Sequence, residues 1–220
     1  MEQSRLDLTL KINEIFYSIQ GESRFVGWPT VFVRTSGCHL RCTYCDTTYA
    51  YYEGGKKSVR EILQEIEKHK TPYVCLTGGE PLLQKNLNAL TTELCDRGFQ
   101  VSIETSGDLN CLDLDPRAFK VVDVKTPDSG EPEAFCRDNL DLPSETTEFK
   151  FVICSPGDLE WAEAFCQENQ LFERFNVLYS PSFGKIEPRW LAEQLLNKKS
   201  RARLQMQLHK YIWSPDQRGV

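Results

Sequence analysis

The stretch SGCHLRCTYCDTTY, residues 36–49, sets Cys38, Cys42 and Cys45 in a C-x3-C-x2-C spacing. Three thiols this close together exceed what packing needs, and they fall one short of a closed four-ligand metal site. Structural zinc takes four ligands, usually as two separated pairs, and catalytic zinc draws more often on His or carboxylate. No second C-x2-C occurs, and His39 is adjacent to Cys38, which places it badly for the same ion. A four-iron cluster normally takes four cysteines, so three leave one iron open to an outside ligand. The spacing by itself favours an iron–sulfur cluster and leaves zinc, redox or packing roles as alternatives.

The other six cysteines (Cys75, Cys95, Cys111, Cys136, Cys154, Cys166) are scattered singly, as small buried hydrophobes are. The N-terminal stretch MEQSRLDLTL has no apolar core of a secretory signal, and no apolar run approaches a membrane span. A cytoplasmic protein with no membrane partner is therefore expected. With 40% hydrophobic and 26% charged residues, 220 residues suffice for one globular domain. The net charge of −6 comes without a basic block, which argues against direct nucleic-acid binding and for a small-molecule substrate.

The elements that must position the cysteines alternate between β-rich runs and amphipathic helices. Strands are expected at 30–34, 73–77, 99–105, 119–125, 148–154, 175–180 and 203–211. Helices are expected at 58–70, 86–98, about 131–139, 155–169 and about 187–198. Ser58 with Glu61 forms a capping box, Gly98 stops the second helix, and Ser155 with Pro156 opens a later one. Such alternation implies parallel βαβ units and an α/β fold, with ligands at the C-terminal strand ends. The cysteine loop, TGGEP (77–81), ETSG (104–107), the DVK at 123–125 and SPSFG (180–184) each follow or end a strand, so all fall on one rim.

The cysteine spacing, with Tyr44 before the last cysteine and TGGEP on the next strand, resembles the radical S-adenosylmethionine superfamily. NEIFYSIQGES (13–23), Gly27, Arg34 before SGC, the Cys-Asp-Thr at 45–47, ETSG and LHKY (208–211) narrow the resemblance to the 7-carboxy-7-deazaguanine synthase family, from about residue 12 to 213. The resemblance implies a partial, TIM-like β/α barrel of six to seven mostly parallel strands, one domain over 1–220 with a tail at 212–220. It implies a [4Fe-4S] cluster, S-adenosylmethionine and Mg²⁺ as cofactors, a homodimer, and a flavodoxin- or ferredoxin-type electron donor. The implied reaction is a radical ring contraction. It takes 6-carboxy-5,6,7,8-tetrahydropterin to 7-carboxy-7-deazaguanine with loss of ammonia, on the route to queuosine and related 7-deazapurines.

Position by position, the resemblance makes Cys38, Cys42 and Cys45 the cluster ligands and Thr47 the Mg²⁺ ligand. It puts Ile19, Gln20, Gly21, Arg34, Thr77 and His209 at the substrate, with Arg34 pairing its carboxylate and His209 reaching in from the last strand. Tyr44, Gly79, Glu80, Glu104, Ser106, Asp123, Val124, Lys125, Ser180, Pro181, Ser182 and Phe183 fall to S-adenosylmethionine, Glu104 on the ribose hydroxyls. No side chain is assigned a catalytic role, because the cofactor carries the radical chemistry. Read without the family, Thr47 is a loop hydroxyl, Arg34 a rim ion pair and His209 a structural histidine. Two departures stand out: Asp-Val-Lys where many relatives have Ser-Pro-Lys, and the extra segment IWSPDQRGV after HKY. Competing readings are an activating enzyme for a glycyl-radical protein and a zinc-stapled interaction module without chemistry.

Overall fold

The computed structural model describes residues 4–220. Nine strands form one sheet, in the order β3-β1-β2-β4-β5-β6-β7-β8-β9. β1 (Thr9–Ile19) pairs antiparallel with β2 (Pro29–Thr35) on one side and with β3 (Gly55–Ser58) on the other. From β2 onward the pairing is parallel, through β4 (Tyr73–Gly78), β5 (Gln100–Thr105), β6 (Phe119–Asp123), β7 (Thr147–Ile153), β8 (Asn176–Pro181) and β9 (Arg203–Leu204). The parallel run is the incomplete barrel the sequence implies. The two antiparallel strands extend it beyond six or seven. β3 is GKKS, which has no strand propensity of its own and exists through its pairing with β1.

The two faces of the sheet differ in kind. Side chains alternate along a strand, and one face carries Val31, Val33, Val74, Leu76, Val101, Ile103, Phe149, Phe151 and Ile153 into the core. Over that face lie α1 (Val59–Ile66), α2 (Leu87–Asp96), α3 (Pro156–Glu168), α4 (Leu171–Arg174) and α5 (Pro188–Lys198). α1 buries Val59, Ile62, Leu63 and Ile66, each worth about 1.5–3 kcal/mol when fully withdrawn from water. Its start is fixed reciprocally: Ser58 Oγ accepts from the Glu61 N–H at 3.2 Å, and Glu61 Oε2 accepts from the Ser58 N–H at 2.7 Å. The opposite face carries Phe16, Phe32, Arg34, Glu104, Val121, Asp123, Lys150 and Val152, which line a cavity.

Two expected elements differ. Residues 131–139 form no α-helix; turns lead into a 3-10 turn at Arg137–Asp141. Tertiary partners claim the backbone there: Cys136 N–H donates to Gly107 O, and the Asn139 amide donates to Gly107 O and Leu109 O. The strand expected at 203–211 stops after Leu204, because the Gln205 N–H still bonds Tyr179 O but the Leu208 N–H turns to Gly21 O. His209 therefore sits on a short helix, α6 (His209–Ile212), rather than on a strand.

Candidate active site

The C-terminal strand ends surround a cavity of about 540 Å³ lined by Cys38, Cys42, Cys45 and Arg34. The cysteine loop is curled by its own backbone and by neighbours. Arg41 Nη1 donates to Cys38 O at 2.8 Å and to Leu40 O at 2.7 Å, and its guanidinium lies 4.3 Å over the Tyr51 ring. Thr43 N–H donates to Ser129 O and Gly37 N–H to Ala50 O, both at 2.8 Å. The TGGEP loop closes on it from β4, with Glu80 N–H donating to Gly37 O at 2.7 Å. Only glycine fits at 79, since a Cβ there would collide with Gly37 O and come within 2.9 Å of Cys38 Cβ. His39, remote from the thiols' task, pairs with Asp108.

The chemistry of this donor set fits a cluster. Three half-exposed thiols face one cavity. Among the described residues no three His, Cys, Asp or Glu side chains close around a single ion, as a lone zinc requires. Burial pushes the Cys42 thiol up to about 11 against the pull of Lys125, a cost that ligation to iron removes by deprotonating the sulfur. Beside the thiols, the Tyr44 hydroxyl and Asp123 Oδ1 are buried without a protein partner. Unpaired buried polar atoms cost about 1–3 kcal/mol each, so both are places for a polar ligand. Burial would lower Lys125, but Asp123, 2.9 Å away, outweighs it and keeps the ammonium charged. Gly79, Ser106, Ser182 and Phe183 complete this side of the lining.

Register sets Glu14, Arg34 and Thr77 level across β1, β2 and β4. Arg34 Nε donates to Glu14 Oε1 at 2.8 Å, and the Tyr49 hydroxyl donates to the same oxygen at 3.0 Å. Glu14 is the only hydrogen-bond partner of the Arg34 side chain among the described residues, which leaves the planar end of the guanidinium for a carboxylate. Below it, Gln20 Nε2 donates to Glu104 Oε1 at 3.1 Å, and Lys150 Nζ meets Glu22 Oε2 at 2.7 Å. Burial, then the Glu22 charge, raises Glu104 above the usual carboxylate range. Thr47 Oγ1 donates to Asp46 Oδ1 at 2.8 Å, and Lys210 holds Asp46 Oδ2 at 2.6 Å. That ammonium outweighs burial and keeps Asp46 down at about 2. His209 packs so closely on Gly21 that a Cβ at 21 would meet Nδ1.

Of the residues singled out from sequence, the cavity brings together Ile19, Gln20, Arg34, the three cysteines, Tyr44, Thr47, Thr77, Gly79, Glu104, Ser106, Asp123, Lys125, Ser182, Phe183 and His209. It does not bring in Gly21, Glu80, Val124, Ser180 or Pro181. Val124 and Ser180 are buried, and Glu80 turns inward. Glu80 Oε1 accepts from Leu82 N–H and Thr105 Oγ1 at 2.9 Å, while Oε2 takes the Ser106 N–H at 2.7 Å and its hydroxyl. Glu80 is thus a brace between the β4 and β5 loops. Glu104 lines the cavity beside Gln20 and Glu22. Sequence reading missed Glu14, Glu22, Tyr49 and Lys150. Lys150 had a signal, a lysine inside the buried run TEFKFVI.

An open, mostly parallel β/α sheet with a three-cysteine loop after its first parallel strand defines a radical S-adenosylmethionine protein, and the Radical SAM superfamily model matches residues 32–121. That class carries a [4Fe-4S] cluster and S-adenosylmethionine. Within it, the chain belongs to the 7-carboxy-7-deazaguanine synthase family. It is 45% identical over 214 residues to the curated 7-carboxy-7-deazaguanine synthase of Chlorobaculum tepidum, covering 96% of this chain and 97% of that one. Its identity to the curated 7-carboxy-7-deazaguanine synthase of Koribacter versatilis is 38% over 226 residues, covering 96% and 100%. Its fold matches the crystal structure of QueE from Escherichia coli with a TM-score of 0.80 at 24% identity, over 95% of this chain and all of that one. The relatives give no support to a glycyl-radical activating enzyme or a zinc-stapled module. No helix among the described residues is long and apolar enough to cross a membrane.

Proposed function

We propose that this protein makes 7-carboxy-7-deazaguanine from 6-carboxy-5,6,7,8-tetrahydropterin by radical ring contraction with loss of ammonia. The observation that carries the reading is an Arg34 fork left free in the cavity that the three thiols also line, in a chain 45% identical along almost its whole length to a synthase of that name. The cluster and S-adenosylmethionine, when bound, would supply the hydrogen-abstracting radical chemistry, and the protein would supply binding and orientation.

The chain's own residues bind and orient. Cys38, Cys42 and Cys45 hold the cluster. The unpaired Tyr44 hydroxyl and Asp123 Oδ1, with Lys125, Gly79, Ser106, Ser182 and Phe183, receive S-adenosylmethionine. Arg34 takes the substrate carboxylate bidentately, a task its planar fork suits. Ile19, Gln20, Thr77 and His209 border the ring, and Glu104 accepts from the ribose hydroxyls. Thr47 offers its hydroxyl oxygen to Mg²⁺, which keeps waters and substrate oxygens in its shell. Asp46, locked by Thr47 and Lys210, orients that hydroxyl. In this reading residues 1–220 act as one domain that pairs as a homodimer and takes its electron from a flavodoxin- or ferredoxin-type donor in the cytoplasm.

The test is incubation of the reduced, cluster-loaded protein with S-adenosylmethionine, Mg²⁺ and 6-carboxy-5,6,7,8-tetrahydropterin. The expected products are ammonia and 7-carboxy-7-deazaguanine in equal amounts, with 5′-deoxyadenosine well below them, because substrate less ammonia already equals product and the abstracted hydrogen must be returned. Formation of 5′-deoxyadenosine without 7-carboxy-7-deazaguanine would sink the substrate assignment and leave the superfamily standing.

A further inference from the structure

The segment beyond the HKY motif crosses the cavity. α6 is tied at three points: Leu208 N–H to Gly21 O at 3.1 Å, Lys210 to Asp46 at 2.6 Å, and Tyr211 edge-on to Phe183 at 5.9 Å between centroids. Past Trp213 the chain runs back toward the cysteine loop, and Pro215, Asp216, Gln217, Arg218 and Val220 line the cavity. Among the described residues this stretch has one side-chain anchor. Arg218 lies 3.7 Å over the Tyr49 ring, and its Nη1 is 3.1 Å from Glu53 Oε2.

Tyr49 is not an incidental partner. Its hydroxyl donates to Glu14 Oε1, the oxygen that also receives Arg34 Nε. The Arg34 guanidinium lies 5.9 Å from the same Tyr49 ring. A chain of contacts therefore runs Glu53–Arg218–Tyr49–Glu14–Arg34. A planar cation stacked on an aromatic face restrains the ring, and an ammonium does so poorly. A side chain free to swing about χ1 would withdraw the Tyr49 hydroxyl from Glu14 and release one restraint on Arg34.

Resting on the function proposed above, we propose that Arg218 is a substrate-positioning residue, which fixes Arg34 through Tyr49 and Glu14 while the 213–220 segment covers that end of the cavity. Positioning and cover serve the same end. A mispointed Arg34 holds the carboxylate loosely, and an uncovered cavity admits water to a reacting centre that needs exclusion.

The test compares wild type with Arg218→Ala, Arg218→Lys and Glu53→Gln, each cluster-loaded, with iron content and circular dichroism as controls. Binding of 6-carboxy-5,6,7,8-tetrahydropterin is measured without reductant, and turnover with it. For Arg218→Ala we expect substrate Kd and KM to rise about 5–20-fold, the KM for S-adenosylmethionine to stay put, and the ratio of 5′-deoxyadenosine to product to rise. Lysine should rescue little, because it keeps charge but not the stack, and Glu53→Gln should move the same quantities less. A productive wild type with an Arg218→Ala variant matching it in substrate Kd and in that ratio overturns the inference alone. If Arg218→Ala loads iron poorly, Glu53→Gln decides: unchanged substrate Kd and ratio in that variant also overturn it. A wild type that yields no product overturns the underlying function instead.

Discussion

Lys150 Nζ and Glu22 Oε2 lie 2.7 Å apart on the cavity floor, buried, although 128 residues separate them in the chain. Glu22 also receives Gln207 at 3.0 Å, and Lys150 has Asp123 at 4.0 Å. Burial opposes both charges, and each charge supplies what the other needs: Glu22 is held below its ordinary value and Lys150 above. The pair joins the loop after β1 to β7.

Removing one member should therefore cost more than removing both. Glu22→Ala or Lys150→Ala leaves a buried charge uncompensated and should destabilise by roughly 3–5 kcal/mol, read by urea unfolding. The Glu22→Leu, Lys150→Met double variant should unfold closer to wild type than either single variant. Additive losses would show the pair to be uncoupled.

The same pair fixes the sign of the pH dependence. A carboxyl held below its unfolded value contributes stability above about pH 4.5, which is lost as pH falls through the lower folded value. The raised Lys150 contributes stability that is full below its ordinary value near 10.5 and is lost as pH climbs through the folded value above it. Acid unfolding midpoints should move toward neutrality in Glu22→Gln. Coincident curves for the two proteins would contradict the shift.

At the substrate end, Arg34→Ala should raise the substrate KM about 10–100-fold, the range of one or two lost charge-assisted hydrogen bonds. The cluster absorbance should not change, because Arg34 touches no cysteine. Loss of iron in that variant would place Arg34 in the scaffold rather than at the substrate.

Gly79→Ala should act the other way. Its Cβ would press on Gly37 O and Cys38 Cβ and push the cysteine loop outward. Iron content after anaerobic reconstitution should drop severalfold while far-ultraviolet dichroism stays that of wild type, since the sheet lies below the contact. Wild-type iron loading would show that the loop can yield.

Away from the site, Ser58→Ala removes half of a capping box and should cost about 0.5–2 kcal/mol with turnover unchanged. A change in KM would tie the start of α1 to the cavity.

Local chemistry was legible in the chain itself. The cysteine spacing, the capping box at Ser58 and Glu61, the Ser155–Pro156 helix start and the strand ends that carry TGGEP and ETSG depend on neighbours within a few residues, so the sequence determined them. The parallel strands also followed, because their inward-facing apolar residues recur at fixed periods. What lay beyond reach depended on partners far along the chain. β3 exists by pairing with β1, and residues 131–139 lose their helix to Gly107 and Leu109. Glu80 bonds Thr105 and Ser106, a brace that exists only once β4 and β5 lie side by side. The ion pair of Glu22 with Lys150 and the contact of Arg218 with Tyr49 are likewise decided by folding alone, because burial and distance between remote residues are properties of the assembled sheet and leave no periodic trace in the sequence.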